Sequence, residues 1–209
     1  KALIAVHLYG FPGKLIEIKK ICRKYNIIFI EDAAEGFGSF YKNKHLGTFG
    51  EAGILSFNGN KPITCGGGGA IITNNKKLAD KVKNLSIQAK KNIPNDHIHE
   101  EIGYNYRMTN LSAAVGCAQL ENAKKILRAK RNNHKLYKKL FKDINEIKIL
   151  DEPKDSKTNY WLIVAKLKNI KLKKDLLKKL SNEGIISRSV WRPLHTLKIF
   201  KDSQRDDLK

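Results

Sequence analysis

Short unbroken apolar runs alternate with amphipathic stretches along the first third of the chain. Ala2-Leu3-Ile4-Ala5-Val6 and Ile27-Ile28-Phe29-Ile30 are continuous runs of the kind presented by buried strands. Between them Leu15, Ile18, Cys22 and Tyr25 fall at helical spacing, which predicts an amphipathic helix over 14–25. His7 to Gly13 carries Gly and Pro breakers and reads as a turn. Strand, helix, strand at this spacing is a βαβ unit, so the pattern predicts an α/β fold with a parallel sheet.

The same reading continues along the chain. Residues 36–50 form a loop or hairpin, and Ala52–Phe57 and Ala70–Thr73 are strands. Asn74 or Asn75 can cap a helix whose apolar face is Leu78, Val82 and Leu85. Weak periodicity over 86–108 predicts a long loop, a common place for function. Thr109 or Asn110 opens the longest helical pattern, with Leu111, Ala114, Val115, Ala118 and Leu120 on its face, and the pattern runs with a bend to Phe141. After the polar stretch Asp151–Thr158, Tyr160–Val164 and Gly184–Ser187 read as strands flanking a helix around Lys173–Asn182. Residues 1–142 are therefore expected to be part of a larger domain, and 143–209 a smaller α/β domain.

Composition narrows the class. Of 209 residues 41% are apolar, enough for a packed core, and no apolar run reaches the length of a membrane span. Cys22, Cys65 and Cys117 lie far apart with no C-x-x-C, which indicates neither a disulfide framework nor a zinc site and fits a reducing cytoplasm. His97 and His99 stand beside Glu100 and Glu101, but no third ligand follows at a telling spacing, so no metal is expected. With 41 Lys and Arg against 20 Asp and Glu, the formal net charge is +21. Such a balance raises the case for nucleic acid. The lysines, however, are spread in pairs along helical faces without interleaved aromatics, which fits solvated surfaces and gives no reason to expect a nucleic-acid partner. The chain begins at Lys1 directly before a strand pattern and ends at Asp206-Asp207-Leu208-Lys209 without a closing element. It is expected to be a fragment lacking sequence at both ends.

Candidate chemistry collects near the second and third strands. In open parallel sheets ligands bind beyond the carboxyl ends of the strands, and Glu31 and Asp32 sit at that end. The alternative for Asp32 is a simple cap on the next turn. Downstream, Ser56-Phe57-Asn58-Gly59-Asn60-Lys61 leads into Gly66–Gly69. A loop lysine is ordinarily a solvated charge. Here it follows an apolar run and precedes four glycines that let backbone approach backbone. A carboxylate, a hydroxyl and one lysine in a glycine-rich turn are the parts of a pyridoxal phosphate site: lysine bonds the aldehyde, aspartate holds the pyridine nitrogen protonated, and serine binds phosphate. A P-loop is excluded, since the G-x-x-x-x-G-K-[ST] spacing is absent.

Five ordered motifs carry a family resemblance: Glu31-Asp32-Ala33-Ala34-Glu35, Gly47-Thr48-Phe49-Gly50, Ser56-Phe57-x-x-x-Lys61, Gly66–Ala70 and Gly103-Tyr104-Asn105-Tyr106-Arg107-Met108-Thr109. With them the chain resembles the DegT/StrS nucleotide-sugar aminotransferases, and within these a LegC-like branch acting on UDP-linked 4-keto-6-deoxy amino sugars. The resemblance implies a fold-type-I pyridoxal phosphate enzyme, here a partial large domain with mainly parallel sheet plus a smaller domain. It implies Lys61 and Asp32 as catalytic residues, and Ser56, Glu35 and Asn105 as further cofactor ligands, Asn105 reaching a neighbouring subunit in a homodimer. Tyr106 and Arg107 would bind substrate or the dimer partner, and Trp191 and His195 the sugar nucleotide; a plain turn is open to Asn105, a structural ion pair to Arg107 and core-edge packing to the Trp191 segment. The expected reaction moves an amino group from glutamate to the keto sugar for bacterial surface glycan synthesis, and the fragment alone is expected to be inactive. Alternatives from other classes are a non-catalytic or regulatory member of the fold and a basic nucleic-acid-binding protein.

Overall fold

A computed structural model describes residues 1–91 and 93–204, so the tail Asp206–Lys209 lies outside the described residues. The chain forms two compact units, Lys1–Ala165 and Lys166–Lys209. The first holds a four-stranded sheet in the order β1-β2-β5-β6, where β1 is Ala2–Val6, β2 Ile28–Asp32, β5 Ala52–Ser56 and β6 Gly69–Ile72. β1, β2 and β5 run parallel, and β6 returns antiparallel. Helix α1, Leu15–Lys24, makes the crossover between β1 and β2. It turns Leu15 and Cys22 into a core shared with Phe29, Ala33, Leu46, Phe49 and Leu55. The βαβ expectation is met, with one correction. β1 is an edge strand, and Ile4 and Val6 are 62% and 58% exposed, because among the described residues of the first unit no further strand or helix covers that face.

Short strands β3 (Phe40–Tyr41) and β4 (Lys44–His45) make the hairpin expected over 36–50. Helix α2, Lys76–Ser86, is capped by Asn75, whose side chain accepts from Leu78 N at 3.1 Å. Helix α3, Asn110–Glu121, is capped by Thr109, and after a break at Asn122 helix α4 runs over Ala123–Leu140, which is the expected bend. β7 (Ile147–Ile149) and β8 (Ser156–Lys157) follow. β8 pairs with β3, tying residues 156–157 into the first unit rather than into a separate domain starting at 143.

The second unit consists mainly of helix α5, Ile170–Asn182, capped by Asn169, with β9 (Ala165–Leu167) at the division. Two expected strands are corrected. Tyr160–Val164 and Gly184–Ser187 are not strands, and the strand in this region is β9. The apolar pattern of 160–164 was real, but Tyr160 and Trp161 are buried by side-chain packing rather than by sheet pairing.

Candidate active site

Because β1, β2 and β5 are parallel, their carboxyl ends meet at one edge. His7, Asp32 and Ser56 lie there. Glu31, one residue before Asp32, points the other way and is fully buried. Its carboxylate accepts from His7 Nε2 at 2.9 Å, Gly47 N at 2.8 Å, Phe49 N at 2.5 Å and Gly50 N at 2.8 Å. Burial by itself would raise the Glu31 carboxyl, but the hydrogen bonds from His7, Gly50 and Gly47 outweigh it and leave the group below its ordinary value. This anion gathers the 47–50 turn beneath β2. Gly47 has φ +89°, and a Cβ on Gly53 would stand 2.0 Å from Gly47 O, so only glycine permits the crossing.

Asp32 ends β2 and accepts from Ala34 N at 3.1 Å, so the cap alternative is realised with one of its oxygens. Ser56 ends β5 and accepts from Asn58 N at 3.3 Å. The loop after β5 closes on itself through Cys65 N to Phe57 O and Phe57 N to Gly68 O, with Lys61 N bonded to Asn58 O. Gly66 and Gly68 take φ +83° and +89°, and Gly69 passes so near Leu55 O that a Cβ would lie 2.4 Å away. The glycine run thus serves turn geometry and one close crossing.

Lys61 is not a solvated charge. Its side chain is 11% exposed, and Nζ stands 3.7 Å from Glu35 Oε1. Glu35, 14% exposed, accepts from Tyr9 N at 2.5 Å. Nζ also lies 4.0 Å from the centroid of the Trp161 ring. The lysine turn, the Asp32–Glu35 segment and residue 161 therefore converge.

Sequence reasoning missed the segment Thr158–Trp161. Asn159 is buried and donates from Nδ2 to Glu35 O and Phe37 O, while its N–H meets Ser39 Oγ at 2.9 Å. Helix α4 fixes this segment in turn. Arg131 donates to Glu152 and Thr158 O, and Lys130 Nζ to Trp161 O at 3.0 Å. His134 stacks on Tyr160 at 3.7 Å. Burial and the Asp151 hydrogen bond push the Tyr160 hydroxyl up to about 12, so it stays a proton donor to Asp151. The one available signal was the row of hydrogen-bonding and aromatic residues Thr158-Asn159-Tyr160-Trp161.

Three further expected site residues, Asn105, Tyr106 and Arg107, fall within the first unit. Asn105 bridges backbone to Ile87, Tyr106 stacks on Tyr104 at 5.1 Å, and Asn105, Tyr106 and Arg107 are exposed. The end of that segment approaches the lysine loop, through Met108 against Cys65 and Gly68. Trp191 and His195 belong to the second unit, where Trp191 is exposed and His195 half-buried.

The sequence matches the DegT/DnrJ/EryC1/StrS aminotransferase family over residues 1–209. It is 41% identical across 96% of its length, and 51% of the relative's, to EpsN of Bacillus subtilis strain 168, provisionally named a pyridoxal phosphate-dependent aminotransferase. It is 38% identical to GDP-perosamine synthase of Escherichia coli O157:H7, covering 97% of this chain and 55% of that protein. Among solved structures it is similar to Helicobacter pylori PseC, an aminotransferase involved in pseudoaminic acid biosynthesis, with TM-score 0.90 and 27% identity over 97% of this chain and 56% of that one. The chain thus spans about half the length of the curated relatives it matches.

Proposed function

The chain belongs to the DegT/DnrJ/EryC1/StrS aminotransferase family, and from that premise we propose that it carries the lysine half of a pyridoxal phosphate-dependent nucleotide-sugar aminotransferase active site. The single observation that carries the reading is Lys61, withdrawn from solvent beside Glu35 at the carboxyl edge of a parallel sheet that also presents Asp32 and Ser56. The donor set fits the cofactor: an amine for its aldehyde, a carboxylate for its pyridine nitrogen and a hydroxyl for its phosphate.

When bound, the cofactor supplies an electron sink for the carbon from which a proton is taken. Asp32 holds the ring nitrogen protonated, so that sink keeps its positive charge. Lys61 would supply the amine that takes a proton from the carbon bearing nitrogen and delivers it to the carbon of the cofactor's aldehyde. Ser56 anchors phosphate, and Glu35 holds and orients Lys61. Asn105, exposed in the single chain, is free to reach a second copy, so a homodimer with a shared site is part of the proposal. Tyr106, Arg107, Trp191 and His195 are proposed contacts for the sugar nucleotide.

The proposed acceptor is a 4-keto-6-deoxy nucleotide sugar and the donor glutamate, with the product entering bacterial surface glycans. UDP is expected from the sequence branch, whereas the 38% identical relative is named for a GDP sugar. The test is amino transfer from glutamate by the whole protein to a panel of UDP-, GDP- and dTDP-linked 4-keto-6-deoxy sugars. Turnover of one panel member that depends on Lys61 supports the reading. Cofactor uptake with no conversion to the pyridoxamine form by glutamate contradicts it.

A further inference from the structure

We infer that Trp161 is a positioning residue for Lys61, holding its ammonium against the indole face and fixing the turn that carries it. Two contacts from one side chain support this. The ring centroid lies 4.0 Å from Lys61 Nζ, and the indole Nε1 donates to Asn60 O, the carbonyl next to the lysine, at 2.6 Å. A cation over a desolvated indole is attracted by the ring's negative face, more strongly than at an exposed surface.

Trp161 is itself held at its ring and at both of its backbone polar groups. Tyr9 stacks on it with centroids 6.1 Å apart, Asn159 Oδ1 accepts from Trp161 N at 2.9 Å, and Lys130 Nζ donates to Trp161 O. Tyr9 also donates its backbone N–H to Glu35, so carboxylate and indole share one support. Among the described residues, charged groups at this arrangement include Glu35, paired with Lys61, and Lys130, bound at the Trp161 carbonyl. Lys61 is thus oriented by a residue one hundred positions later in the chain. Loss of the indole frees both the amine and the backbone of its turn.

The inference rests on Lys61 being the cofactor anchor, and its test reads the lysine without the cofactor. Cofactor-free whole protein is treated briefly with acetic anhydride across a pH series, and acetylation of Lys61 is followed by peptide mass spectrometry. Neutral amine reacts and ammonium does not. Trp161→Leu removes the cation contact, and Lys61 labelling near neutral pH should rise roughly three- to thirtyfold, with its profile moved toward lower pH. Trp161→Phe keeps a ring face and should move the profile less.

Because leucine at a buried indole site can unfold the protein, tetrafluorotryptophan is incorporated as a second measurement. It keeps the shape and weakens the ring's negative face, and the same shift to lower pH is expected. An unchanged profile, or labelling raised equally at every pH as simple exposure would give, overturns the inference. Borohydride fixation of cofactor on Lys61 in the unsubstituted protein separates the two claims. Fixation with an unmoved profile sinks the role of Trp161 alone, while a moved profile without fixation sinks the proposed function and leaves the Trp161–Lys61 contact standing.

Discussion

At the scale of single residues, burial separates chemistry from surface. The chain carries 41 Lys and Arg, and composition cannot say which of them is withdrawn from solvent. Position after a strand end and before the glycines singles out Lys61, whose side chain is 11% exposed. Its partners were legible only in part. Glu35 lies three residues after the motif aspartate Asp32 and belongs to the same motif, whereas Trp161 meets Lys61 through folding that no local pattern encodes. Glu31 makes a prediction of its own. Its carboxylate has a folded value below the unfolded one, so it stabilises the protein above the ordinary carboxylate range, and that contribution is lost as pH falls through the folded value. Glu31→Gln replaces an anion that accepts four hydrogen bonds with a neutral amide and should cost about 3 kcal/mol near neutral pH. In urea unfolding the parent should lose stability faster than the variant as pH drops below about 4. Equal pH slopes would show that Glu31 is not the buried anion described here.

At the scale of elements, periodicity found what local rules govern. The βαβ unit, the bend between α3 and α4 and the capped helix starts follow from apolar spacing and short polar caps. Removing the cap oxygen at Asn75 or Thr109 by alanine should cost about 1 kcal/mol each, read as a lower urea midpoint with unchanged slope. No change would mean that these oxygens are satisfied equally well by water. Pattern failed where tertiary contacts decide. Tyr160–Val164 has strand-like composition, yet Asn159, Tyr160 and Trp161 are occupied by side-chain partners from α4 and the 35–39 loop, leaving no ladder to join. Gly53 shows the same limit. A single glycine in a strand says little, but here a methyl group would meet Gly47 O at 2.0 Å. Gly53→Ala should destabilise by about 3 kcal/mol, since backbone rather than a flexible side chain must move. A loss below about 0.5 kcal/mol, the range of neutral surface changes, would contradict that crossing.

At the scale of the whole molecule, the chain spans about half the length of its relatives, and the structure shows apolar residues open on β1 and along 102–120. Ile102, Tyr106 and Leu111 are exposed, and α3 places no residue in a buried position. The 209 residues by themselves are therefore predicted to show no transaminase turnover, which an assay of the isolated chain checks directly. The family was legible in the order of its motifs. The sugar was not, because the proposed sugar contacts Tyr106 and Arg107 are exposed in the single chain and Trp191 and His195 lie in the second unit. The central claim is narrower than the substrate: Lys61 bonds the cofactor. Its most direct measurement is the visible absorption spectrum of the whole protein with pyridoxal phosphate, before and after borohydride, beside Lys61→Ala. The account predicts a band that borohydride abolishes, a cofactor mass added to the peptide bearing Lys61, and neither in the variant. A band that survives in Lys61→Ala with the same reduction behaviour, or no band in the parent, would contradict it.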